Sequence, residues 1–173
     1  MRIHKAIKQK IDKYSQDFVL KSVNGLSLPN SLLIIPDGNG RWAKSLGLSV
    51  YEGHQKGARV FARILDNFLK LDIKVLGAWG FSEDNWKRPQ DEIEKVMEVI
   101  EATMRQNLEK LKKNNVRFIV LGKKERVVKK FPKLWKTLEE TIKQTSENNG
   151  KTLVLFLDYG ERFQLEEFAK IRE

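Results

Sequence analysis

Leu32–Gly47 reads LLIIPDGNGRWAKSLG, an aliphatic run that stops at Pro36 and gives way to Asp37, Gly38, Asn39, Gly40, Arg41 and Trp42. A short apolar run closed by proline and a turn-forming cluster has the signature of a buried strand. Asn-Gly is also the commonest hairpin signal, but the residues behind it, RWAKSLG, do not alternate as a returning strand would. The segment therefore reads as strand, tight turn, helix. Glycine and asparagine tolerate positive φ, so such a turn can aim consecutive backbone N–H groups at one point. A nest of that kind running into a helix start near Arg41 can cradle a diphosphate. Arg41 adds a planar fork matched to phosphate oxygens, and Asp37 adds the hard oxygen ligand that Mg²⁺ needs when it bridges to a substrate phosphate.

Outward from this unit, EGHQKGARVFARILDNFLKL reads as a helix with a wide apolar face of Val60, Phe61, Ile64, Leu65, Phe68 and Leu69, and IKVLGAWGF as the next strand. A long helix follows over RPQDEIEKVMEVIEATMRQNLEKLKKNN, opened by proline and acids, with Ile93, Val96, Met97, Ile100, Met104, Leu108 and Leu111 at helical spacing. VRFIVLG, a lysine-rich helical region to Asn149, the strand KTLVLFLDYG and a final helix from Glu161 complete the chain. Strands alternating with helices predict an α/β fold, a central and mainly parallel sheet covered on both faces by flanking helices. Ligands of such sheets sit at the carboxyl ends of the strands, where PDGNGRW, GFSEDNWKRP and DYGER would all gather. The apolar faces of the two long helices read as core, or as the walls of a cleft if the helices splay apart.

His54 lies in GHQKGA between Gly53 and Gly57. A lone histidine commonly packs or caps, but flanking glycines let backbone or ligand approach closely, which favours a phosphate contact. FSEDNWKRP brings Phe81, Ser82, Asn85, Trp86 and Arg88 together on a loop, the composition of a binding mouth with an aromatic wall, an orienting amide and a second guanidinium.

The 173 residues make one domain, residues 1–173, and their 33 Lys and Arg against 23 Asp and Glu give a formal charge of +10. A basic field favours anionic partners: nucleic acid, an anionic membrane face or a phosphorylated small molecule. With no cysteine and two histidines, disulfides, thiolate metal sites and multi-histidine metal sites are excluded or very unfavourable. Lys110, Lys112, Lys113, Lys123, Lys124, Lys129 and Lys130 fall on predicted helix exteriors without a nucleic-acid motif, so nucleic acid is not the expected partner. In residues 1–22, Ile3, Ile7, Ile11, Tyr14 and Phe18 share one helical face and lysines fill the rest. That pattern predicts an amphipathic helix that packs on the domain, with contact to anionic lipid as the sharper reading. No signal peptide or membrane-spanning run is read, so the expected location is cytoplasmic, with a peripheral place at the inner membrane face as its extension.

DGNGRWA, GHQKGA and FSEDNWKRP, at these separations, closely resemble the cis-prenyltransferase family, the undecaprenyl diphosphate synthases and their relatives, from roughly Leu32 to Arg162. The resemblance implies a central parallel sheet, a bacterial homodimer, and a hydrophobic tunnel between helices. It also implies the chemistry: Mg²⁺-dependent addition of isopentenyl diphosphate to an allylic diphosphate such as farnesyl diphosphate, giving a polyprenyl diphosphate lipid carrier. Carried over by position, Asp37 is the essential carboxylate for Mg²⁺ and diphosphate. Gly38, Asn39, Gly40 and Arg41 bind the allylic diphosphate with Trp42 and His54 beside it. Asn85 is the residue assigned to proton removal, flanked by Phe81, Ser82, Glu83, Asp84, Trp86 and Arg88. An amide is a poor base, so an orienting role for Asn85, with released diphosphate as proton acceptor, fits its chemistry better.

Three positions depart from the family pattern. Val50 stands where an arginine is usual, DYGER replaces NYGGR and adds the charges of Asp158 and Glu161 near the expected anion site, and the sequence ends at Glu173 without the family's Arg-x-Gly-x-Glu-x-Arg segment. The expectation is a family fold whose C-terminal part is missing. The alternatives to a synthase are a non-catalytic or partner-dependent subunit that binds prenyl diphosphates, or a truncated inactive homologue.

Overall fold

A computed structural model describes residues 21–23 and 25–170. Residues 1–20 of the expected N-terminal helix lie outside the described residues. The order is β1 (Ser31–Ile34), α1 (Asn39–Ser45), α2 (Val50–Lys70), β2 (Val75–Ser82), a 3-10 turn (Glu83–Lys87), α3 (Gln90–Lys113), β3 (Val116–Leu121), α4 (Lys124–Lys130), α5 (Pro132–Gln144), β4 (Lys151–Tyr159) and α6 (Glu161–Lys170).

The four strands form one parallel sheet in the order β1-β2-β4-β3, as the alternation of strands and helices predicts. Parallel neighbours need crossovers, and α1 with α2, α3, and α4 with α5 supply them. The helix ends follow local chemistry. A capping box starts α2: Ser49 Oγ accepts from the Glu52 N–H at 3.3 Å and Glu52 Oε2 accepts from the Ser49 N–H at 2.9 Å. The sequence reading began this helix at Glu52; the cap places its first turn two residues earlier. Pro89 precedes α3, which has Asp91 and Glu92 in its first turn and Lys110, Lys112 and Lys113 in its last, the charge order that the helix dipole favours.

One face of the sheet carries the core. Leu65 and Phe68 of α2, Ile93, Met97, Met104 and Leu111 of α3, and Leu134 and Leu138 of α5 pack on Leu76, Val116, Phe118, Leu153 and Leu155, all 6% exposed or less. Each such side chain contributes about 1.5–3 kcal/mol by leaving water. On the second face Trp79 and Phe156 stack at 5.8 Å and meet Tyr159 edge-on, with Phe163 of α6 at 5.4 Å from Tyr159, and Trp79 and Phe156 stay partly exposed.

At the carboxyl end, β2 and β4 lose simple register. Trp79 pairs with Phe156, Phe81 with Leu157, and Ser82 with Tyr159. An extra residue thus falls on β2 at Gly80 and another on β4 at Asp158, two bulges that offset one another. Asp158 sits at φ 53°, in the left-handed region that aspartate tolerates better than most residues.

Candidate active site

The turn behind β1 takes the predicted form. Gly38 has φ 83° and caps α1, whose first closed bond runs from the Trp42 N–H to the Gly38 carbonyl at 2.8 Å. The amides of Asn39, Gly40 and Arg41, ahead of that bond, have no intrahelical acceptor. Asp37 stands over them. Its Oδ1 accepts from the Gly38 N–H at 2.5 Å and its Oδ2 from Arg41 Nη2 at 3.0 Å. The Gly38 hydrogen bond, and then Arg41, hold the Asp37 carboxyl below the usual carboxylate range, so it is ionised at neutral pH.

The glycines around His54 admit a close approach, the backbone alternative of the two read in the sequence. They lie inside α2, and a Cβ on Gly53 would stand 2.3 Å from the Asn39 carbonyl oxygen, while one on Gly57 would stand 2.8 Å from Asn39 Nδ2. These two positions, one turn apart, form the seat for Asn39 and hence for α1. At Gly53 the close approach is to the Asn39 backbone, and at Gly57 it is to the Asn39 side chain.

His54 itself faces the site. Its side chain is 16% exposed, and Nε2 is buried without a hydrogen-bond partner, 3.7 Å from Glu92 Oε1. Burial pushes the imidazole below its ordinary pKa, against an opposing pull from Glu92, and keeps the ring neutral. Glu92 also accepts from Arg88 Nη1 at 3.0 Å.

The stretch read as a loop is the 3-10 turn. Ser82 and Asn85 close a capping box on it: the Ser82 N–H donates to Asn85 Oδ1 at 3.0 Å and the Asn85 N–H to Ser82 Oγ at 3.3 Å. With Oδ1 engaged by Ser82, the side chain of Asn85 still offers its N–H donor pair to a ligand.

Between α2, α3 and the sheet lies a cleft of about 550 Å³. Asp37, Gly38, Asn39, Gly40, Arg41, His54, Ser82, Asn85 and Arg88 line its polar mouth, joined by Lys44 and Glu92, which sequence reasoning missed. Glu92 was hidden because an acid in a helix's first turn has an ordinary reading. The depth is apolar, walled by Phe61, Val96, Ile100, Met104, Phe118 and Leu155 among others. Gly80 keeps the wall open: a Cβ there would lie 2.8 Å from Leu155 Cδ1 and 3.5 Å from Ile100 Cδ1. Beyond Met104, Lys110 Nζ meets Asp66 Oδ1 at 2.6 Å and ties α3 to α2.

Five of the residues singled out in the sequence do not line the cleft. Trp42 is 40% exposed on α1. Phe81 is fully buried, edge-on to Trp86 at 5.2 Å, so its ring forms no part of the mouth. Trp86 turns its indole away and donates from Nε1 to Asp158 Oδ1 at 2.8 Å. Glu83 pairs with Lys123 at 3.0 Å and the exposed Asp84 with Lys87 at 2.7 Å. Asp158 adds no charge to the cleft. It is fully buried, and Arg126 grips it with Nε at 2.9 Å and Nη2 at 2.6 Å.

Among the described residues no group of three or more His, Cys, Asp or Glu could hold a metal alone, and no helix is long and apolar enough to cross a membrane. A single ionised carboxylate beside a phosphate cradle does fit Mg²⁺ that arrives on a diphosphate, since that ion commonly takes one or two carboxylates plus phosphate oxygens and waters.

The family model for undecaprenyl diphosphate synthase matches residues 35–171. An isoprenyl transferase of Thermotoga maritima is 39% identical over 140 residues, 81% of this chain and 59% of that protein. The (2E,6E)-farnesyl-diphosphate-specific ditrans,polycis-undecaprenyl-diphosphate synthase of Vibrio parahaemolyticus is 35% identical over 144 residues, 83% of this chain and 56% of that protein. Among solved structures, lavandulyl diphosphate synthase from Lavandula x intermedia, in complex with dimethylallyl diphosphate, superposes with a TM-score of 0.73 at 29% identity over 82% of this chain and 60% of its own. The chain thus spans less than three fifths of the length of these two curated relatives.

Proposed function

The chain belongs to the undecaprenyl diphosphate synthase family of cis-prenyltransferases, and from that premise we propose that it binds an allylic diphosphate and condenses it with isopentenyl diphosphate. One observation carries the reading: a diphosphate cradle, Asp37 to Arg41, stands at the mouth of an apolar cleft of about 550 Å³. That pairing suits a molecule with a doubly phosphorylated head and a hydrocarbon tail.

Each residue then has a physical task. The amides of Asn39, Gly40 and Arg41 and the Arg41 guanidinium hold the allylic diphosphate while its tail lies between α2 and α3. Asp37 would hold Mg²⁺, which when bound supplies charge neutralisation for the departing diphosphate. Heterolysis of the allylic C–O bond builds negative charge on the leaving oxygen, and donors already aimed there stabilise it without reorganising. The allylic carbon bonds to the terminal alkene carbon of isopentenyl diphosphate, and the proton then lost from that unit passes to diphosphate oxygen. Asn85, whose Oδ1 accepts from the Ser82 N–H, offers its side-chain N–H pair to orient the second diphosphate, and as a weakly basic amide it takes no proton. Arg88, aimed by Glu92, and neutral His54 complete the mouth.

A second reading, a prenyl-diphosphate-binding subunit that a partner chain completes, as a homodimer or otherwise, draws on Val50. This apolar residue lines the cleft beside Gly40, at the position where an arginine is expected. The test incubates purified chain with farnesyl diphosphate, labelled isopentenyl diphosphate and Mg²⁺, with Asp37→Ala alongside. Labelled lipid that disappears in the variant is the expected result. Farnesyl diphosphate bound by a folded chain without any labelled lipid would overturn unassisted synthesis and select the second reading.

A further inference from the structure

The 3-10 turn has two sides. Ser82, Asn85 and Arg88 face the cleft, and Trp86 faces away into a cluster built from α4, α5 and the end of β4. Five groups surround its indole: Asp158 Oδ1 at 2.8 Å, the Phe81 ring at 5.2 Å, the Phe131 ring at 6.2 Å, and Arg126 and Lys130 over the ring face at 4.9 and 5.0 Å.

The centre of that cluster is Asp158, whose side chain is fully buried. A buried carboxylate is expensive to desolvate, and here the bidentate Arg126 contact offsets the cost. Its backbone is committed as well. The bulge at φ 53° swings the side chain toward Trp86, and the Asp158 carbonyl accepts from the Lys123 N–H at 3.1 Å. Gly122, at φ 134°, makes this approach possible, because a Cβ there would lie 1.9 Å from the Leu157 carbonyl oxygen. Lys123 further reaches Glu83, the first residue of the turn. The turn itself is short, held from within by the Ser82–Asn85 box and the Arg88 N–H bond to the Asn85 carbonyl at 3.1 Å. Its placement is therefore set from outside.

We infer that Asp158 and Arg126 are positioning residues, which act through Trp86 to stand Asn85 and Arg88 at the cleft wall. This deepens the proposed reading and rests on it for the roles of Asn85 and Arg88; the placement itself can be measured without turnover.

The test uses the full chain with Arg126→Gln and Asp158→Asn, and Arg126→Lys as the variant that keeps the charge without the fork. Amide hydrogen exchange is read first. Exchange at Asn85 and Arg88 is expected to accelerate at least tenfold in Arg126→Gln, while the Trp42 amide and the β2 and β4 amides stay within about twofold. Arg126→Lys is expected to fall between, and it carries the same reading if Arg126→Gln does not fold. Unchanged exchange at the turn, or equal acceleration across the sheet, would overturn the inference and leave a merely structural ion pair. Turnover is read second, in a double-mutant cycle with Asn85→Ala. A residue acting through Asn85 lowers kcat at least tenfold alone and adds little once Asn85 is alanine; full additivity would overturn the inference. A wild-type chain with no turnover but the local exchange pattern would sink the catalytic reading and keep the positioning one.

Discussion

At the scale of single residues, the site was legible where chemistry depends on sequence neighbours. Asp37, Gly38 and Arg41 are placed by a turn written in three adjacent residues, and the structure builds that turn with Gly38 at φ 83°. Trp86 and Phe81 were not legible in the same way. Whether an aromatic ring faces a cleft or the core depends on what lies across the fold, and here Asp158, 72 residues along the sequence and gripped by Arg126, claims the indole. Gly53 offers a sharp check of the seat for α1. Gly53→Ala must move the Asn39 backbone, at a cost typical of overpacking, roughly 1–3 kcal/mol, and calorimetry should find weaker binding of farnesyl diphosphate along with a lower Tm. His54 gives a pH dependence. Its folded pKa lies below the ordinary 6.5, so in the window below 6.5 the unfolded chain holds a proton that the folded chain does not. Stability should therefore fall as pH drops from 6.5 toward the folded value, then level off. Chemical denaturation from pH 7.5 to 5 should find a shallower fall in His54→Gln.

Elements were read well as types and less well at their ends. Apolar periodicity located the strands and the two long helices, but it does not tell a core face from a cleft wall, since both need apolar side chains at 3.6-residue spacing. Only the folded chain decides that, and here Phe61 of α2 and Val96 and Ile100 of α3 line the cleft. The capping boxes were overlooked because Ser49 with Glu52, and Ser82 with Asn85, sit in stretches read for other reasons. Loss of the first should be clean. Ser49→Ala is expected to lower stability by about 1 kcal/mol, as helix caps do, measured by urea denaturation, without altering any group that lines the cleft. Loss of the second is two changes in one, so Asn85→Asp is the informative substitution: it keeps an acceptor for the Ser82 N–H, removes the donor, and should leave Tm nearly unchanged while turnover falls at least tenfold.

For the molecule as a whole, alternation of strands and helices was enough to imply a parallel sheet with its unusual segments on one rim, because crossover connections leave few alternatives. The strand order was not implied, and it matters. The cradle hangs from β1, a strand of four residues that among the described residues pairs only with β2, from Ser31 with Val75 to Ile34 with Ala78, and Leu32 and Leu33 are 37% and 47% exposed. The central β2 and β4, by contrast, are paired on both sides. Exchange at β1 amides should be the fastest in the sheet and should slow when farnesyl diphosphate binds, since a ligand at a hundred times its Kd holds the closed form by about 2.7 kcal/mol. The same geometry bears on how long the protein lasts. A protease that needs residues 35–38 open would compete with a bound diphosphate for that one opening, so under the proposed function the ligand-free chain is nicked at this corner first and ligand supply sets its lifetime.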